Sequence, residues 1–321
     1  MQVLAFLVSL TGLATIAVVL RLWTRLRLRS AGWDDLLIVV ALAANLVLFS
    51  CRVVEIHHGL GHPGETLTPD VLQTQLKGLY FSLPFYNLTL LTSKLSALAL
   101  YTRLFRLRRV LLTSYSLAGL LCVAGTWIVL SAFLFCLPVR DFWSVAPDHA
   151  PHCLPKKAVW LSNGAFQVAT HVVVLAIPLI VIPKLTLRRR VKAGLFLLFG
   201  LGLVVVVISI VQLITVVEIL TRGGDLTHKS RTTALLASTE ASASILCACM
   251  PPLYPLFSRA CSRCLRVVHA RVGRQGAARH YPQTVSIHLT RPVIENPVFY
   301  DGFRVGGGSY TASVEVVGSG V

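Results

Sequence analysis

Residues 195–208 read LFLLFGLGLVVVVI, fourteen positions without a charged or strongly polar side chain. The apolar run extends to both sides, from Ala193 to Ile219. At about 1.5 Å per residue, a helix of that length crosses the ~30 Å hydrocarbon core of a bilayer. A barrel strand would alternate apolar and polar positions, which this stretch does not, so a helix is the reading. Residues 36–48, LLIVVALAANLVL, are continuously apolar but for Asn45. Working outward, apolar runs bounded by charges or by Pro/Gly clusters fall at 2–20, 33–56, 79–101, 110–137, 158–183, 193–219 and 232–257. The pattern predicts an all-α polytopic membrane protein, with a seven-helix membrane domain over 1–257 and a tail over 258–321.

Composition agrees. Of the 321 residues, 55% are apolar and 13% charged, against roughly 25% charged in an ordinary soluble domain. The formal net charge of +17 would suggest nucleic acid in a soluble chain. Here the basic residues sit in short segments between apolar runs, so no nucleic-acid partner is expected and the bilayer is the first partner.

The distribution of those charges sets an orientation. Thirteen Lys and Arg, among them Arg21, Arg25 and Arg103, follow the first, third and fifth runs, and eight more lie in the tail. The connections after the second, fourth and sixth runs hold seven, while Arg52 and Lys94 fall inside runs. The positive-inside rule then places the N-terminus outside and the C-terminus in the cytoplasm. A secretory signal peptide is the alternative for the first run. Its charges follow the apolar stretch instead of preceding it, which favours a retained span.

Cys136 and Cys153 fall on the expected outer side, where an oxidising exterior permits a disulfide, the alternative being two unpaired cysteines. Cys261 and Cys264 form a lone CxxC just past the last run. Without a second ligand pair zinc is disfavoured, and palmitoylation is the functional reading. The tail is expected to be mostly disordered, its basic start, from Arg259 to Arg274, either resting on anionic lipid or only fixing topology. The sequon Asn87-Leu88-Thr89 lies inside a span and is discarded. No Walker loop, HExxH, GxSxG or dinucleotide fingerprint is present.

Ionisable and amide side chains inside spans are costly, so each is a functional candidate. Asn87, Gln167, Gln212 and Glu240 all fall about eight to ten positions from the expected outer ends of their spans. Four polar groups at one depth suggest a layer lining an outward-facing cavity; interhelical hydrogen bonding is the structural alternative. Lys94 lies ~22 Å down its span and His171 one turn deeper than Gln167. A direct contact between Lys94 and Glu240 would need helix tilt to close a ~10 Å difference in depth. These six residues form the candidate ligand-binding set. Prolines 84, 178, 183, 251, 252 and 255, in or at the ends of spans, leave both bundle shape and switching open.

Several stretches together resemble the fungal rhodopsin-domain integral membrane family. They are Gly32-Trp33-Asp34-Asp35, Gly59-Leu60-Gly61-His62, Lys94-Leu95-Ser96 leading to Tyr101-Thr102-Arg103-Leu104-Phe105, the cysteines 136 and 153 around Phe142-Trp143, and Cys247-Ala248-Cys249-Met250-Pro251 with Pro255. The resemblance runs from about residue 15 to 258 and implies Pth-type receptor-like seven-helix proteins, some encoded in secondary-metabolite clusters. It also implies an Asn and an Asp one turn apart in span five and an Arg in span six. Here those positions are Gln167, His171 and Gln212, so intramembrane charges are replaced together by less charged groups. The family name does not imply retinal: a Schiff base needs a Lys in the last span, 232–257 has none, and no cofactor is expected.

The reading is a receptor-like plasma-membrane protein that senses an external small molecule and signals through basic inner segments to a cytoplasmic partner. The alternatives are an intramembrane enzyme or accessory protein of a biosynthetic pathway, using Glu240, His171 or Lys94 for proton transfer, and a transporter.

Overall fold

The computed structural model describes residues 2–58, 60, 68–104, 107–143, 153–181, 189–222 and 231–253. All lie in the first of the two units into which the chain divides, Met1–Val267. Seven helices run in order: α1 (Gln2–Arg27), α2 (Trp33–His57), α3 (Pro69–Leu104), α4 (Arg108–Phe133), α5 (Lys156–Val181), α6 (Arg189–Arg222) and α7 (Arg231–Leu253). No β-strand occurs among the described residues apart from a single bridge between Cys136 and Cys153. The Cys261–Cys264 pair and the tail lie outside the described residues.

Six of the seven helices are long and apolar enough to cross a membrane, and α3 is the one that falls short. The expectation of seven apolar spans is corrected to that extent, and the reason is visible in the packing. α3 lies against α2 and α4 and also touches α5. Its buried side chains include Ser82, Asn87, Thr89, Thr92, Ser93, Lys94 and Ser96. A helix surrounded by others need not be apolar all round, because its polar groups find partners on its neighbours. It is also longer than the 79–101 run, with 36 residues spanning about 54 Å.

The outward faces are apolar instead. Val123 and Trp127 of α4 are 76% and 70% exposed, while Arg21, Asn45 and Glu240 are buried. This distribution inverts that of a water-soluble protein and suits a hydrocarbon surround.

α7 packs on α1 and α2 through Ala14, Val18, Ile38, Ala41, Ile245, Ala248 and Cys249. It meets α2 and α3 through Leu48, Tyr86, Leu90, Ala237 and Ala241. Its small side chains, alanine and serine above all, let the backbones approach closely. On the far side of α3, Leu98 and Tyr101 pack with Val110, Leu117 and Leu121 of α4 and Ile177 of α5.

Local chemistry sets the helix ends. α4 stops at Phe133, short of the expected 137: the Tyr80 hydroxyl donates to the Phe133 carbonyl, and the N–H of Leu134 closes the last turn on Leu130. Cys136 therefore sits beyond the helix, joined to Cys153 by a disulfide. A 3₁₀ turn, Val139–Phe142, follows. Tyr80, Phe135, Phe142, Trp143 and Trp160 gather around the bridge and fix the approach of α5 to α3. At the start of α2 the Gly32 N–H donates to Asp35 Oδ2 at 3.1 Å and the Asp35 N–H returns to the Gly32 carbonyl at 2.9 Å. Two aspartates in this first turn also suit the positive end of the helix dipole.

Arg21 corrects another expectation. It belongs to α1, not to a connection, and is fully buried. Its Nη2 donates to Asp34 Oδ2 at 2.8 Å, its Nε to Asp35 Oδ1 at 2.9 Å and its Nη1 to the Ala248 carbonyl at 2.7 Å. Arg25 reaches Asp34 at 3.2 Å, and Arg103 bonds the other Asp34 oxygen. Three arginines expected only to mark topology thus clasp α1, α2, α3 and α7 together at one end of the bundle.

Candidate functional site

At the opposite end, the N-terminal halves of α3, α5 and α7 and the C-terminal halves of α2 and α6 surround a cavity of about 250 Å³. Leu72, Leu76, Leu79 and Leu83 recur at helical spacing along α3 and form one apolar wall, facing Leu213, Val216 and Ile219 of α6. The deeper lining is polar: Tyr86, Asn87, Gln167, Ser209, Gln212 and Glu240. Four of these are the residues whose equal depth marks them in the sequence. Lys94 and His171 line instead a smaller cavity of about 50 Å³ with Ser93, Tyr101 and Ser244.

The polar side chains form two linked strings. In the first, Lys94 Nζ donates to the Gln167 carbonyl at 3.3 Å, to Gln167 Oε1 at 2.5 Å and to Thr170 Oγ1 at 2.7 Å. Gln167 Nε2 continues to Asn87 Oδ1 at 3.4 Å, and Asn87 Nδ2 donates back to the Leu83 carbonyl at 3.0 Å. In the second, Glu240 accepts from the hydroxyls of Tyr86 and Ser209. Gln212 Nε2 donates to the Tyr86 oxygen at 3.1 Å. His171 Nδ1 lies 3.0 Å from Ser209 Oγ and 3.4 Å from Glu240 Oε1.

This geometry resolves an alternative. Lys94 is held by neutral oxygens of Gln167 and Thr170, and no Lys94–Glu240 ion pair within 4 Å occurs among the described residues. Ser209 has one hydroxyl proton; given to Glu240, it makes His171 Nδ1 the donor in the contact between them. His171 Nε2 is then an acceptor, and it has no hydrogen-bond partner. Gln212 Oε1 and Arg52 Nε are likewise without partners.

Two contributors, Tyr86 and Ser209, stand out only in the structure, and a third, Arg52, gains its partner there. Tyr86 precedes Asn87 by one residue and carries the link between Gln212 and Glu240, yet a tyrosine in an apolar run has no periodic signal of its own. Ser209 is equally silent. Arg52 is visible as a charge inside α2, and the structure supplies its partner: Nη1 donates to Glu55 Oε2 at 2.6 Å, one helical turn away. Among the described residues no cluster of three His, Cys, Asp or Glu side chains could hold a metal ion.

The family model described as Fungal rhodopsin domain matches residues 20–259, which include the Asp34-Asp35 pair, the bridged Cys136 and Cys153 and all the residues of the two cavities. The chain belongs to the fungal rhodopsin domain family. It is similar to the polyenoic acids biosynthesis gene cluster protein Ba17b of Metarhizium anisopliae, 28% identical over 202 residues, 61% of this chain and 55% of that protein. It is also similar to a SAT4 family membrane protein of Emericella nidulans, 26% identical over 235 residues, 72% of this chain and 56% of that protein. The chain thus spans about half the length of the curated relatives it matches.

Proposed function

We propose that this member of the fungal rhodopsin domain family is a receptor-like protein of the plasma membrane that binds an external small molecule in the larger cavity and signals to a cytoplasmic partner. The observation that carries the reading is the cavity itself: apolar walls over a hydrogen-bonded polar floor drawn from four helices, the usual make-up of a small-molecule site. The orientation that goes with it has the N-terminus outside and the cavity open to the outer leaflet, in keeping with the positive-inside rule. The arginine clasp and the tail then face the cytoplasm, where lipid contact and palmitoylation at Cys261 and Cys264 would add anchoring. The test is a panel of small apolar compounds applied to the purified full chain, read by thermal unfolding, together with recruitment of cytoplasmic proteins in cells. Ligands that raise the unfolding temperature and change recruitment support the reading; a panel that changes neither overturns it.

A second reading draws on the relative named for a polyenoic acids biosynthesis cluster. It makes the protein an intramembrane enzyme or accessory protein of such a pathway, with Glu240, His171 and Lys94 moving protons to an apolar substrate. Metabolite profiling of a deletion strain and a Glu240→Gln strain separates the two. Loss or accumulation of one intermediate in both strains favours the second reading, and an unchanged profile with an altered response to external cues favours the first.

A further inference from the structure

The lining of the larger cavity is unusually specific about charge. Among the described side chains that line it, only Arg52 and Glu240 belong to the ordinarily charged residue types, and both are already engaged. Arg52 is closed onto Glu55 at 2.6 Å, and Glu240 is held by the Tyr86 and Ser209 hydroxyls. An anionic head group entering this space would be buried beside the Glu55 and Glu240 carboxylates, with the one guanidinium already closed onto Glu55, and a cationic one would reach Glu240 only by displacing the two hydroxyls that hold it, so either ion loses its hydration without a ready counter-ion. The cavity does offer neutral hydrogen-bonding capacity: the amides of Asn87 and Gln212 line it, and Gln212 Oε1 lacks a partner.

Shape adds a second constraint. The α3 wall runs from Leu72 to Asn87, about 22 Å along the helix axis. A volume of about 250 Å³ drawn out over such a length suits a narrow chain better than a compact ring system.

We infer that the ligand of this cavity is an extended apolar chain ending in a neutral head that both donates and accepts hydrogen bonds, an alcohol or a carboxylic acid bound in its protonated form. The chain lies along the leucines of α3 and the head reaches the Gln212 and Asn87 amides. This inference rests on the reading that the cavity binds a small molecule, and it adds the chemical class.

The experiment uses the full chain in phosphatidylcholine nanodiscs and three probes with the same ten-carbon chain: decan-1-ol, decylamine in its protonated form and decanoate at neutral pH. Binding is read from the emission of Trp160, which lines the cavity, as the difference between the wild type and Trp160→Phe, at equal probe concentration in the bilayer. The alcohol is expected to bind at least tenfold more tightly than either ion. Decanoate is expected to gain affinity as pH falls and the acid form of the free probe becomes populated. Val216→Phe, which fills the cavity, should abolish the difference signal, and Leu76→Phe serves the same purpose if the first variant does not fold. An ion that binds as tightly as the alcohol overturns the proposed class while leaving the cavity a binding site. No Trp160 response to any probe, or a response that neither filled variant weakens, overturns the binding reading itself.

Discussion

Among the described residues no carboxylate bonds to Lys94, which is held by oxygen acceptors from α5. Replacing Gln167 by Leu removes the Oε1 acceptor and leaves a buried ammonium short of a partner, which should cost about 1.5–3 kcal/mol of unfolding free energy. Lys94→Met in the same chain should recover much of that loss, because replacing both partners by apolar groups of similar size removes the unsatisfied donor. Denaturant unfolding of the two single variants and the double variant in mixed micelles checks this. A double variant less stable than Gln167→Leu alone would mean that Lys94 is held mainly by something else. Asn87→Ala should cost far less, about 0.6 kcal/mol, since its contact with Gln167 is long at 3.4 Å. The identities of these polar residues are legible in the sequence, because intramembrane amides and charges are rare. Their partners are not: the ~10 Å depth difference between Lys94 and Glu240 argues against contact, but nothing in a one-dimensional depth count shows that Gln167 meets the lysine while Tyr86 and Ser209 take the glutamate.

Helices α1, α2, α3 and α7 meet at the arginine clasp, and there single substitutions act on four elements at once. Arg21→Leu leaves Asp34 and Asp35 with only Arg25 and Arg103, and should cost about 3–5 kcal/mol as measured by denaturant unfolding. Arg21→Lys should recover only part of this, since one ammonium cannot serve two carboxylates and the Ala248 carbonyl in the forked geometry of a guanidinium. Gly32 is a second lever. Its backbone is extended, with φ −158°, so a side chain strains nothing by itself, but a Cβ would lie 2.4 Å from Arg103 Nη1 and 2.9 Å from Asp34 Oδ1. Gly32→Val should push Arg103 off Asp34 and destabilise the protein by about 1–3 kcal/mol, an effect that should shrink in an Arg103→Ala background, where only the close approach to Asp34 remains. The Gly-Trp-Asp-Asp stretch carries the family resemblance in the sequence, and Arg21, Arg25 and Arg103 appear there as topology charges. That the same residues neutralise one another is decided by the crossing of α1 and α3 over the start of α2.

The whole bundle is closed at the cavity end by the disulfide between Cys136 and Cys153, 17 residues apart. A loop of that size is worth about 3 kcal/mol in the chain-entropy account, so Cys136→Ser should lower the unfolding midpoint measurably while leaving the helix content of the folded protein unchanged by circular dichroism. The proposed orientation has its own check. Trp33 is 81% exposed at the clasp end and Lys156 is exposed at the cavity end. A membrane-impermeant maleimide added to intact cells should label Lys156→Cys and spare Trp33→Cys; the reverse pattern would invert the topology and turn the cavity toward the cytoplasm.

The sequence by itself determined the class of the fold, because a bilayer demands long apolar helices and every such run is written in consecutive residues. Seven apolar runs are read from it, of which six are helices apolar enough to cross a membrane, and four polar residues marked by equal depth line one cavity. Helix ends were less accessible. α4 stops early because a tyrosine on another helix takes its last carbonyl, and α3 begins ten residues before its apolar run, in turns whose Leu72, Gln75 and Leu76 line the cavity. Only the tertiary structure decided which polar group meets which, since partners such as Arg21 and Ala248 or Tyr86 and Glu240 are separated by more than a hundred residues and are joined by helix packing alone.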